Sequence, residues 1–322
     1  MAFNVSALPD YTSQVTGRIV LDTVFVGTSA EYFSSQEGVK HSEALNLVST
    51  TPYFQGGDAV STVSGSTAFT QRNITVSKRT AYDQWNLQLL TDKYLGKMAL
   101  PEGSYEETFA IMDQVTGDLV KKAQQQNDLF IWTAVSGSTF ANSTVVPESD
   151  GIITLISGST SGVKVPAASQ TGSAEFGAAI TAANAYAQLI DGVALLDDNI
   201  KSADDLTIWC GPGVFTKIAQ GLTTQNLFHF SPTDIQNRNG MHECPLPGFP
   251  NIKIVSTYGL TGSSRVVIGP DSDMVIGTDL RSDTENFKLW FSMDDDAIKY
   301  RLRNKLGVQV GHPAYWASND LA

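Results

Sequence analysis

Cysteine is nearly absent: Cys210 and Cys244 are the only two in 322 residues. That is too few for a disulfide scaffold and suits a reducing compartment. Histidine is almost as scarce, at four. No stretch approaches the ~20 apolar residues of a membrane-spanning helix, so no membrane association is expected. The N-terminal sequence MAFNVSALPDYTSQV has neither a basic stretch nor an apolar core, and no secretory leader is expected. Lysine and arginine number 21 against 33 acidic residues, a net charge of −12. Phosphate binding needs a basic stripe, so this deficit argues against a surface that wraps nucleic acid. Charged residues make up 17% of the chain, below the ordinary ~25%. Serine, threonine and glycine take their place, which points to strands, turns and surface buried against other chains.

Catalytic signatures are missing as well. Gly158–Gly162 reads GSTSG, with Thr160 where a nucleophile elbow needs serine. There is no P-loop, no dinucleotide fingerprint and no zinc-protease motif. Gly211-Pro212-Gly213 sits between an expected strand and an expected helix, but proline removes a donor that an anion site would use, so it reads as a turn. His242-Glu243-Cys244 has no second Cys/His pair at ligand spacing. Asp294–Asp296 lacks the glycine and closing glutamate of a calcium loop and reads as a solvated turn. No metal, no cofactor and no catalytic residue is expected.

What is present is one long helical pattern. Gly103–Trp132 opens with Ser104 and Glu107 as a capping box. Phe109, Met112, Thr116, Leu119 and Ala123 recur at spacings of three and four, an amphipathic stripe. Lys121 and Lys122 suit the far end of the helix dipole, and Asn127-Asp128 reads as its stop. Before it, Leu45–Val48, a Gln55–Asp58 turn, a small polar tip over Ser61–Thr70, and alternation at Ile74, Val76, Trp85 and Leu87 describe a long two-stranded excursion. Such a ribbon is marginal alone and needs something to lie on.

After it, 133–172 reads as a loop or short hairpin, and Ser173–Ile190 as an alanine-rich helix ended by Asp191-Gly192. An α/β unit follows over 203–286. Leu206–Cys210 is its strand, Val214–Leu222 its helix, Pro245–Pro250 a rigid connector, and Ile252–Ser256, Arg265–Ile268 and Met274–Gly277 are three short strands. Residues 287–316 alternate as a closing hairpin around Asp294–Asp296. Arg301, Arg303 and Lys305 share one strand face there. They form either a solvated face or a row of cations that meets carboxylates of an adjoining subunit.

This order of parts resembles the major capsid proteins of tailed bacteriophages, the Hong Kong 97-type fold. Ile111–Leu129, ending QQQNDL, is similar to the end of that family's spine helix. NIKIVSTYGL, RVVIGP and MVIGTDL within Asn251–Leu280 resemble its apical strands. Phe287–Trp316, with LGVQVGHPAYW, resembles its closing strands. The resemblance implies an α+β fold: an N-terminal arm over 1–46 and an E-loop over 47–100, then a peripheral domain with the spine helix, and the loop and helix after it, over 101–199. An axial domain spans 200–286, and the closing hairpin of the peripheral domain with a terminal segment spans 287–322. It implies a structural protein rather than an enzyme. Copies would form hexamers and pentamers of an icosahedral shell, in company with portal, scaffold and decoration proteins. The shell would enclose double-stranded DNA without reading its sequence. Assembly would take place in the cytoplasm of a host bacterium, and the protein would reside in the virion capsid. Ser64, Phe69, Arg72, Lys78, Arg79, Arg301, Arg303 and Lys305 are the expected intersubunit contacts. An encapsulin-like bacterial compartment is the alternative, and an α/β enzyme with an unrecognised site is a third reading.

Overall fold

The long helical pattern is one α-helix, α1, Glu106–Thr133. Its 28 residues span about 42 Å at ~1.5 Å per residue. The computed structural model describes residues 29–51, 53–54, 65–86, 106–140, 146–157, 176–224, 235–238, 241–279, 287–292, 294–295 and 297–319. The Ser104 cap lies outside them. Asn127-Asp128 does not stop the helix: it continues for more than a turn, and both side chains are buried. Lys121 and Lys122 therefore lie three turns before the end, and the last turn holds no basic residue. Phe130, Ile131 and Trp132 near that end are buried, while Leu119 is only half-buried.

Two sheets flank this end. The first joins β1 (Ser34–Gln36), β10 (Met274–Thr278), β12 (Ala297–Val310) and β11 (Phe287–Ser292), with β4 (Ser77–Asn86) also paired to β12. The closing hairpin is as the alternation implies: Phe287 opposes Leu302 and Ser292 opposes Ala297. The second sheet runs β13 (Ala317–Ser318), β9 (Val266–Pro270), β5 (Leu206–Cys210), β8 (Phe249–Ser256), β7 (Met241–Leu246), β6 (Gln236–Arg238). β5 and β9 are buried at every position. Their apolar runs LTIWC and VVIGP suit strands covered on both faces. One cover is α5 (Pro212–Thr224), which begins with Pro212 in the first turn, where the missing N–H costs nothing.

Several local expectations are corrected. Within 133–172, expected as a loop or short hairpin, Ile152–Leu155 makes one helical turn, α2. The alanine-rich helix starts later and runs through Asp191-Gly192, as α3, Ala185–Leu195. It is followed by the short α4, Asp198–Lys201. Gly192 continues α3 because its missing Cβ admits Ile268 and Phe176, which a side chain would meet at 2.6 and 2.7 Å. Pro245–Pro250 is a tight strand reversal between β7 and β8, not a connector. Of the three short strands expected after it, the third, β10, leaves its neighbours and joins the first sheet.

The two-stranded excursion is real. β2 (Ser42–Thr51) pairs antiparallel with β3 (Ser66–Thr75) over ten residues, about 33 Å at ~3.3 Å per residue. The Ser61–Thr70 tip is corrected in part: Ser66–Thr70 is strand, and 61–64 lie outside the described residues. The Gln55–Asp58 turn and Leu87 also lie outside them. Ile74 and Val76 are buried while Asn73 is exposed, as their alternation implies, and the chain turns there from ribbon to body. From Val76 it enters β4, so Trp85 continues the first sheet instead of returning along the ribbon.

Candidate assembly surfaces

Three features position the surfaces that this fold presents: a buried junction, the ribbon, and one charged sheet face. At the junction, Asp128 of α1 accepts bonds from the backbone N–H of Ser29 (3.1 Å) and of Gly259 (2.7 Å), and from the hydroxyls of Ser29 and Thr257. Trp132 Nε1 donates to Ser29 Oγ at 3.0 Å. Trp132 also packs on Trp209 of β5, with ring centres 5.4 Å apart, and Phe33 touches both. Gly259 lets this contact close, since a Cβ there would stand 2.1 Å from the Trp132 ring. Helix α1 is thereby locked to the second sheet.

The chain crosses between the two sheets at 271–273 and at 311–316, and Asp273 ties the crossings together. It accepts from the backbone N–H of His312 (2.9 Å) and from Trp316 Nε1 (2.9 Å), and faces His312 Nδ1 at 2.8 Å. Two residues earlier, Asp271 accepts from Thr207 Oγ1 (2.6 Å) and Trp209 Nε1 (2.9 Å). Burial pushes its carboxyl up to about 7; those two hydrogen bonds oppose the shift, Asp205 adds to it and Lys253 opposes it.

The ribbon stands apart from this core. Its inner face rests on the body: Leu45 and Leu47 are half-buried, and Arg72 donates to Val310 O at 2.9 Å. Burial lowers the Arg72 pKa, and Asp273 opposes that. Its outer face carries Asn46, Val48, Thr50, Thr67, Phe69 and Gln71 in register, none of them charged. Val48 and Phe69 are a directly opposed pair, 54% and 78% exposed. Tyr53 and Phe54, beyond the end of β2, are exposed too. A large apolar cross-strand pair left in water is the kind of patch that marks an interaction site.

The structure brings Lys78, Arg301, Arg303 and Lys305 of the expected contact residues to one face of the first sheet and places Phe69, Arg72 and Arg79 elsewhere. Ser64 lies outside the described residues, and Phe69 is exposed on the ribbon. Lys78 is exposed, opposite Lys305. Arg79 is half-buried: its guanidinium lies 4.1 Å over the Phe130 ring, donates to Asn127 Oδ1 at 2.6 Å, and has its pKa pushed down to about 9 by burial. Its polar and ring contacts are thus within its own subunit. Arg303 is exposed, Arg301 is half-buried, and Lys305 pairs with Asp279 of its own chain. The sequence had no signal for Asp128 as a hub, because its partners lie 99 to 131 residues away.

The motifs considered for metal chemistry are spoken for. His242 stacks on Phe215, Glu243 pairs with Lys253 at 3.2 Å, and Cys244 is buried. Cys210 is buried as well, and burial raises its thiol pKa well above the ordinary value. Among the described residues no three His, Cys, Asp or Glu side chains stand together to hold a metal ion.

By sequence, no protein-family model and no curated protein matches the chain. By structure it is similar to a chain from the capsid of the Myoviridae phage XM1, with TM-score 0.54 and 12% identity, covering 91% of this chain and 92% of that one. A chain of the satellite phage P4 procapsid, which includes the size determination (Sid) protein, matches with TM-score 0.53 and 9% identity over 95% of this chain and 89% of its own. A chain from Gordonia phage Cozz matches with TM-score 0.52 and 12% identity, over 91% and 85%. The protein therefore has the α+β fold of tailed-phage capsid proteins, the Hong Kong 97-type fold, over nearly its whole length.

Proposed function

We propose that the chain is a major capsid subunit. Copies form hexamers and pentamers and close into an icosahedral shell around double-stranded DNA. The observation that carries this is the likeness in fold to phage capsid chains across at least 91% of the sequence. The exposed ribbon supports it, since ten-residue strands with Val48 and Phe69 in water need a neighbour to lie on. In this reading the ribbon belongs to the E-loop, α1 and the first sheet to the peripheral domain, and the second sheet to the axial domain. Ser64 and Phe69 meet an adjoining subunit. The chain does no chemistry; its work is burial of neutral polar and apolar surface between copies, with portal, scaffold and decoration proteins as further partners and the host cytoplasm as the place of assembly.

Electron microscopy of the purified protein tests this. Closed shells, or rings of five and six, are expected; uniform single-subunit particles at every concentration would overturn it. An encapsulin-like compartment would also give shells. Co-purified cargo enzyme in place of DNA, after expression with the genes neighbouring this one, would favour that alternative.

A further inference from the structure

The face of the first sheet turned away from α1 gathers the chain's scarce positive charge. Antiparallel register sets Lys305 against Lys78, Arg301 against both Tyr82 and Lys288, and Lys299 against Gln84 and Trp290. Residues directly opposed share a face. With Arg303 between them along β12, Lys78, Lys288, Lys299, Arg301, Arg303 and Lys305 therefore lie on one side. The other side meets α1: Arg79 and Asn304 both donate to Asn127, and Tyr300 and Leu306 are buried. Two of the six cations have carboxylates of their own, Lys299 with Asp295 and Lys305 with Asp279. The Nε of Arg301 is buried without a hydrogen-bond partner among the described residues.

Like charges directly opposed across strands destabilise an isolated sheet, yet this sheet opposes Lys78 to Lys305 and Lys288 to Arg301. In their midst Tyr82, 55% exposed, leans on Trp290 with ring centres 6.2 Å apart. Arginine with tyrosine and tryptophan is the composition enriched in protein interfaces. A partner that brings carboxylates would relieve the repulsion and cover the rings.

We propose that this basic face docks the acidic 197–205 stretch of a second copy of the chain. Charge complementarity identifies the occupant. The chain has 33 acidic residues against 21 basic, and this face holds six of the latter, so the remaining surface is strongly negative. The stretch DDNIKSADD flanks the second sheet, with Asp197, Asp198 and Asp204 exposed and Lys201 its one cation. Basic face and acidic stretch lie on different parts of the chain, so their contact is head-to-tail, the kind that closes into rings. The inference deepens the shell reading and rests on it for the presence of the second copy.

Charge reversal tests it, on the exposed Lys288 and Arg303. Lys288→Glu/Arg303→Glu should keep the wild-type circular dichroism and melting temperature. By sedimentation at about 50 mM salt it should need at least about tenfold more protein to assemble. Adding Asp198→Lys/Asp204→Lys should restore assembly. If the doubly reversed protein does not fold, Arg303→Gln alone should show the same direction with a smaller effect. Shells formed by wild type and variant at equal concentration would overturn the docking face and leave the shell reading intact. Failure of the compensating pair to restore assembly would also overturn the proposal. Wild type that stays monomeric at low salt would overturn both readings. A short duplex DNA bound by wild type and not by the variant, with assembly unchanged, would assign the face to nucleic acid instead.

Discussion

Asp128, in the last turns of α1, accepts the backbone N–H of Gly259 at 2.7 Å across 131 residues of sequence. The same carboxylate takes both donors of Ser29 and the hydroxyl of Thr257. Helix, entering turn and second sheet therefore meet at one buried charge. Asp128→Ala would leave those donors without a partner, and each buried orphan costs about 1–3 kcal/mol. The expected loss is about 3–5 kcal/mol, read from the denaturant midpoint of the isolated subunit. A loss below about 1 kcal/mol would show that water replaces the carboxylate.

Burial of Asp271 gives stability a pH dependence. Its folded-state pKa, about 7, lies above the unfolded value of 3.8. The folded protein thus holds this proton more tightly than the unfolded chain does. The benefit is complete below about pH 4 and is lost as pH rises through 7. Relative to wild type, Asp271→Asn should gain up to roughly 4 kcal/mol between pH 4 and pH 8. Unfolding measured at both pH values decides it; parallel pH profiles for the two proteins would mean that the carboxyl titrates normally.

The middle and the C-terminal end of α1 should respond differently to charge. Ile131 is 1% exposed, so Ile131→Asp should cost about 4 kcal/mol or more and give insoluble protein. Leu119 is half-buried, so Leu119→Asp should leave a folded subunit. Soluble expression and far-UV circular dichroism separate the two.

Legibility from sequence followed the range of the interactions. The alternation at Phe287–Leu289 and Ile298–Leu302 gave β11 and β12 with their turn, because a hairpin is local. The helix at Glu106–Thr133 was readable from its spacing, and its end was not. Asn127-Asp128 carries a stop signal that bonds to Ser29, Arg79 and Thr257 outweigh, all from distant parts of the chain. β10 shows the same limit: MVIGT reads as a strand, but only pairing with Leu306–Val310 and Ser34–Gln36 places it in the first sheet. Among the residues expected to meet a neighbour, Phe69 is an exposed ring in a polar strand. Arg79 packs on Phe130 of its own chain, and nothing local distinguishes it from the exposed Lys78 beside it.

The ribbon's part in assembly can be separated from its part in folding. Leu47 and Thr70 are directly opposed, so residues 48–69 can be replaced by a short Gly-Ser linker at that pair with little cost of loop closure. Arg72, Ile74 and Val76 stay, because they anchor the ribbon's base. The shortened subunit should melt within a few degrees of wild type and form no closed shells. A truncated protein that cannot fold would place the ribbon in the subunit's own core.

The most direct test of the whole account is electron microscopy of the intact purified protein over a range of concentrations, with sedimentation of the same samples. Closed shells of uniform diameter, or rings of five and six subunits that convert to them, are the expected result. A single population of monomers that persists from low to high concentration, at low and high salt alike, would contradict it.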